Sequence, residues 1–255
     1  MNLRRHSLSA VACVLSSLGL ASRLQASDRH DHNAHLWLTY AGDHPIAGSP
    51  WGVHLESQVR RADFGTDWQQ FMLRPGLNYT INPRLMLTAG YAWVDTHQYG
   101  MRPARADFPE HRAWQQVAWT TPAFGLDWLH RFRLEQRQIG EMSPGNDGRF
   151  EVGRYRYENR FRYLLRTTVP APWNSRDYFI AWNEVFLNFG SHVARNTVDQ
   201  NRAFLGVGRR LNDHFRLEIG FLEQTLQQRD GQVWEHNHTL SISILSNWPF
   251  GHGSD

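Results

Sequence analysis

Four stretches of this chain hold residues whose types and spacing could do chemistry. His30, His32 and His35, in HDHNAH, have a spacing that suits a metal held through imidazole. His238, Ser241 and Ser243, in NHTLSIS, offer a nucleophile and a base of the kind a lipid hydrolase needs. LHRFRLEQRQ at 129–138 and RYENRFRYLLR at 156–166 alternate Arg and Glu with apolar residues, the composition of an ionic network or of a nucleic-acid-binding patch.

The first two weaken on inspection. HDHNAH follows an apolar leader and reads as a solvated linker, so no metal site is expected. On a strand, residues three apart face opposite sides, so His238 and Ser241 cannot meet. There is no CxxC, no HExxH and no phosphate-cradling glycine loop. Neither a catalytic residue nor a cofactor is expected, and an outer-membrane lipid hydrolase stays only as an alternative.

The charged stretches need an element that positions them. In LHRFRLEQRQ, Phe132 and Leu134 alternate with Arg131, Arg133, Glu135 and Arg137, which is period 2, the strand signal. The same alternation runs through 51–60, 70–81, 85–94, 112–121, 126–138, 152–168, 178–189, 200–211, 215–227 and 237–248. These ten segments, with HLWLTYA at 35–41 as a candidate eleventh, predict an all-β, antiparallel up-and-down transmembrane barrel of 10 to 12 strands. Bacterial single-chain barrels use even strand numbers, so HLWLTYA either packs elsewhere or has an unrecognised partner.

The connections agree. NPR at 82–84, PAFG at 122–125, APWNSR at 171–176 and NDH at 212–214 are short. They alternate with longer loops at 95–111, 139–151, 190–199 and 228–236. Short periplasmic turns and longer external loops are the outer-membrane pattern. Trp51, Trp68, Trp93, Trp119, Trp128, Trp173, Trp234 and Trp248 stand near strand ends or in turns, where aromatic girdles form.

Targeting fits that location. Arg4 and Arg5 precede the apolar run LSAVACVLSSLGLA, so residues 1–26 read as a secretory signal cleaved after Ala21 or Ala26, with 27–255 as a single barrel domain. Without the leader, 24 Arg balance 24 Asp plus Glu, and the lone Cys13 is gone. Nucleic acid is therefore not an expected partner; outer-membrane lipid and the assembly machinery of a Gram-negative outer membrane are.

LHRFRLEQRQ, NRFRYLLR, YFIAWNEVFLNFG, DQNRAFLGVGRRL and LEIGFLEQ, in that order, resemble the blocks of a domain-of-unknown-function family of Gram-negative outer-membrane barrels. The resemblance spans about 36–244. It implies a barrel and an outer-membrane location. It implies no activity, so no residue role carries over.

With the apolar face toward lipid, the charged face lines the lumen. Fourteen arginines fall there: Arg60, Arg74, Arg112, Arg131, Arg133, Arg137, Arg154, Arg156, Arg160, Arg162, Arg166, Arg202, Arg210 and Arg216. Five acids face them: Glu56, Glu135, Glu158, Glu184 and Glu218. That predicts a strongly positive interior, either a structural Arg–Glu plug or a small anion-preferring channel. A soluble periplasmic barrel, with its apolar face turned inward as a binding pocket, is the alternative from another class.

Overall fold

The computed structural model describes residues 29–251. The leader and its cleavage site lie outside them. Eleven strands follow in order: β1 (Arg29–Pro45), β2 (Trp51–Ala62), β3 (Asp67–Asn82), β4 (Leu85–Thr96), β5 (Phe108–Ala123), β6 (Leu126–Pro144), β7 (Phe150–Pro170), β8 (Asp177–Phe189), β9 (Val198–Arg210), β10 (Phe215–Gln227) and β11 (Val233–Ser246). Each pairs with its sequence neighbour, and β1 pairs with β11 to close the barrel.

The strand count is odd, and that dictates the closure. Strands of an up-and-down meander alternate in direction, so the first and the eleventh run the same way. They pair in parallel from Arg29↔Val233 to Gly42↔Ser246. The other ten contacts are antiparallel. HLWLTYA thus belongs to the wall. So does HDHNAH, which is a correction to the linker reading: Asp31, His32 and Asn33 lie in register with Glu235, His236 and Asn237 of β11, whose backbone supplies the hydrogen bonds a free linker would lack.

The short turns gather at one end. Three are set by side-chain caps on the backbone: Arg84 N–H donates to Asn82 Oδ1 (2.9 Å), Arg176 N–H to Asn174 Oδ1 (2.8 Å) and His214 N–H to Asn212 Oδ1 (2.9 Å). Between β5 and β6, Phe124 (φ 54°) and Gly125 (φ 75°) are both left-handed, as a type I′ hairpin requires. At the opposite end the loops are less uniform than expected. The 139–151 loop shrinks to 145–149, because β6 and β7 extend past the alternating core; Glu141 pairs there with Arg154 (2.5 Å) and Arg156 (2.9 Å). The β2–β3 connection is one tight 3-10 turn, Asp63–Gly65. The longest connection is 97–107.

The alternation resolves into two faces. Outward stand Leu73, Leu77, Leu205, Val207, Ile219 and Phe221, all exposed. Inward stand Arg74, Arg133, Glu135, Glu158, Arg160, Arg162 and Glu184, all buried. An apolar cluster of Trp37, Tyr178, Ile180, Phe204 and Leu222 fills part of the interior beside β8–β10. A barrel of this size leaves an interior that side chains can fill. The arrangement overturns the alternative with an apolar internal pocket. No helix among the described residues is long and apolar enough to cross a membrane.

Candidate functional site

Charged side chains close the middle of the barrel. Glu135 on β6 is fully buried and accepts from Arg160 (2.6 Å) and Arg162 (2.7 Å); Arg74 lies 3.6 Å and Arg133 4.0 Å away. Arg74 also reaches Glu56 (2.7 Å). Arg162 bridges to Glu184 (2.9 Å), which takes Arg131 as well (2.9 Å). Arg160 continues to Asp199 (3.0 Å). Period-2 spacing puts these groups on one face of each strand, and cross-strand register brings opposite signs together: Glu135 lies opposite Arg160, and Glu184 opposite Arg202.

The remaining predicted lumen residues lie nearer the ends. Arg137 joins Arg112 on Glu110, at 2.5 and 2.6 Å. Arg156 pairs with Glu158. Glu218 takes Arg166 (2.5 Å) and the Tyr178 hydroxyl (2.9 Å). Arg216 is exposed at the short-turn mouth and makes no ion pair among the described residues. The expected charge excess shrinks. Asp31, Asp43, Glu110, Asp199 and Glu235 also face inward, while Arg154 is exposed at the rim. Ten acids therefore face the lumen where the sequence offers five. Glu110 hides from sequence reasoning because β5 begins earlier than its clear alternation. Asp199 hides because a bulge beside Leu187 puts it and Gln200 inward in succession.

Two tryptophans anchor the closure. Trp114 is buried on β5, with Arg133 4.7 Å and Arg74 5.9 Å from its ring. It fits because Gly76 and Gly90 leave the wall open beneath it; a Cβ on Gly76 would stand 2.9 Å from the indole. Trp37 is buried on β1, with Arg60 at 4.1 Å and Arg202 at 5.0 Å. Neither Arg60 nor Arg202 is within ion-pair distance of a carboxylate among the described residues, although Glu184 lies across the strand pair from Arg202. Arg60 donates to Gln58 and Gln70 (2.6 Å), and Arg202 to Gln200 (3.0 Å).

This layer is a septum. A cavity of about 520 Å³ lies on its long-loop side and one of about 590 Å³ on its short-turn side. Gln58, Arg162 and Arg202 line both, so at that point the partition is one side chain thick. The 97–107 loop folds over the first cavity: Arg102 pairs with Asp31 (2.9 Å), and the Tyr99 hydroxyl donates to Glu235 (3.3 Å). Burial and the nearby Glu235 carboxylate push the Tyr99 phenol upward, which keeps it a neutral donor.

The other predicted residues are placed as follows. Trp51, Trp119, Trp173 and Trp248 are exposed at the short-turn end, and Trp68 and Trp93 at the long-loop end. Trp234 starts β11 at that same end. Trp128 is buried in a small cluster with Ala181. His238 faces outward and hydrogen-bonds Glu223 (2.7 Å), whereas Ser241 and Ser243 line the short-turn cavity. The base and the nucleophile of the hydrolase alternative are on opposite faces of the wall.

Fold and interior together define a closed β-barrel with an ionic lumen. The chain belongs to the family described as a protein of unknown function (DUF2490), whose model matches residues 34–235. An uncharacterized protein of Methylorubrum extorquens is 30% identical over 240 residues, which is 91% of this chain and 96% of that protein. Among solved structures, the NanC porin in a rhombohedral crystal form is similar at a TM-score of 0.42 and 10% identity, over 76% of this chain and 83% of that one.

Proposed function

We propose that this protein is an outer-membrane β-barrel that admits small anions through an arginine septum, closed in the resting state. Arg60 and Arg202 carry this reading: two guanidiniums beyond ion-pair distance of any carboxylate among the described residues, both against Trp37, Arg60 lining the long-loop cavity and Arg202 lining both cavities where the partition is thinnest. Elsewhere in the lumen, positive charge is mostly matched by acids. Here it is cushioned by an aromatic ring and glutamine amides, so a diffusing anion meets donors that no internal acid occupies.

The outer wall supports the membrane setting. A soluble protein rarely shows water a contiguous apolar band, and this one is bordered by tryptophans at both ends. Outer-membrane lipid and the assembly machinery are then the partners, and residues 1–26 supply the export signal. Fractionation tests the location: a heat-modifiable species in the detergent-extracted outer membrane is expected, and recovery in osmotic-shock fluid without detergent would defeat it.

Planar-bilayer recording tests the transport. Discrete steps with anion preference are expected; silence or cation preference overturns the reading. Silence would favour a second reading, a barrel filled for rigidity alone, which the complete burial of Glu135 among four arginines supports.

A further inference from the structure

Four histidines meet on the outer wall at the parallel seam. His30 and His32 lie two apart on β1, and His236 and His238 two apart on β11; the register sets His32 beside His236. Their rings form one stack, with centroids 5.2 Å apart for His30–His236, 5.0 Å for His236–His32 and 5.4 Å for His32–His238. His30 Nδ1 is 2.9 Å from His236 Nε2, and His32 Nδ1 is 3.1 Å from His238 Nε2. On β10, the Glu223 carboxylate lies 2.7 Å from His238 Nδ1 and 3.5 Å from His236 Nδ1.

The hydrogen bonds fix the tautomers. A carboxylate only accepts, so Nδ1 of His238 carries the proton and its Nε2 offers the lone pair; His32 then donates from Nδ1. His236 Nδ1 faces the same carboxylate at a longer 3.5 Å, with its Nε2 toward His30 Nδ1. A carboxylate behind an imidazole is the arrangement that aims the far nitrogen at a metal and makes it more basic. Nothing in the septum requires it. The stack sits just beyond the apolar band, above Leu240 and Phe221, where the wall turns polar toward the long-loop end.

Spacing points the same way. Alternate positions on a strand present two imidazoles on one face. In the structure their nitrogens are spent on one another, and no three His, Cys, Asp or Glu side chains among the described residues already form a cage for an ion. Turning His32 to offer its free Nε2 beside those of His236 and His238 would assemble one without loss of a proton.

We propose that His32, His236 and His238, with His30 as a fourth donor, bind a divalent imidazole-seeking ion such as Zn²⁺ or Cu²⁺, and that Glu223 orients the ligands. Because the donors come from β1 and β11, the ion clamps the one parallel contact of the barrel.

Purified full chain in detergent provides the test. Cu²⁺ added to the wild type gives an electron paramagnetic resonance spectrum with coupling to three or more nitrogens. Zn²⁺ competition against a chelating dye gives one ion per chain. Glu223→Gln weakens uptake about 10–100-fold, and the His32→Ala/His236→Ala pair abolishes it. His130→Ala, on the same outer wall and bonded to Tyr163, leaves uptake unchanged. A Cu²⁺ spectrum with one nitrogen or none overturns the site without any variant having to fold, and so does undiminished Zn²⁺ uptake in the double variant.

Discussion

Trp114 and Trp37 face one lumen from opposite walls, on β5 and β1, and each lies against two arginines. Their arginines are otherwise unlike. Arg74 and Arg133, beside Trp114, reach Glu56 and Glu135. Arg60 and Arg202, beside Trp37, reach only glutamines. The same pairing of indole and guanidinium serves two ends. With carboxylates it is a strut, in which opposite charges hold strands β3, β6, β7 and β8 together across the lumen. Without them it is a patch of available positive charge in a desolvated setting, tolerable because guanidinium is weakly hydrated and stacks on aromatic faces.

The strut side should break hardest. Glu135→Gln leaves Arg160 and Arg162 without their shared acceptor and strips Arg74 and Arg133 of a nearby counter-charge. Removing one partner of a buried ion pair costs about 3–5 kcal/mol, read as a lower urea midpoint for the barrel refolded in detergent. A loss no larger than that of an exposed pair would erase the distinction between the two tryptophans.

Packing beneath Trp114 gives the next effect. Gly76→Ala places a methyl against the indole and also 3.0 Å from the Ala89 carbonyl oxygen, so neither neighbour can yield freely. Overpacking of this kind costs about 1–3 kcal/mol. The expected readout is a lower melting temperature with conductance unchanged in kind, since the charges at Trp37 stay in place.

The charged alternation, the inward face of the arginines and the gathering of short turns at one end are all visible in the sequence, because period 2 survives in 126–138 and 156–166. Trp37 is not. In HLWLTYA both faces are partly apolar, so Leu36 and Leu38 compete with Trp37 for the lipid side. Its strand also has a polar first half, HDHNAH, that resembles a linker until β11 is brought beside it by closure, the longest-range contact in the chain. The inward acids are lost for local reasons, Glu110 to an early strand start and Asp199 to a bulge. The sequence therefore overstates the positive charge of the lumen and does not show that two of its buried, unpaired arginines gather around one ring.

That concentration is what the smallest structural effect and the clearest functional one should expose. Arg60→Gln and Arg202→Gln each give up a cation–π contact of about 0.5–2 kcal/mol. Each also removes a buried charge that makes no ion pair, although Glu184 lies across the strand pair from Arg202, and the two changes offset. Stability should move by less than about 1 kcal/mol, far below Glu135→Gln. Selectivity should not be spared. With both guanidiniums replaced by amides, the thin part of the partition keeps hydrogen-bond donors and is left only with Arg162, whose charge Glu135 and Glu184 match, so reversal potentials across a salt gradient should fall toward those of a non-selective pore. Conductance need not drop, because glutamine is smaller than arginine where Gln58, Arg162 and Arg202 separate the cavities. If anion preference survives in the double variant, the selectivity filter is the paired network around Glu135 instead, and Trp37 with its arginines is packing.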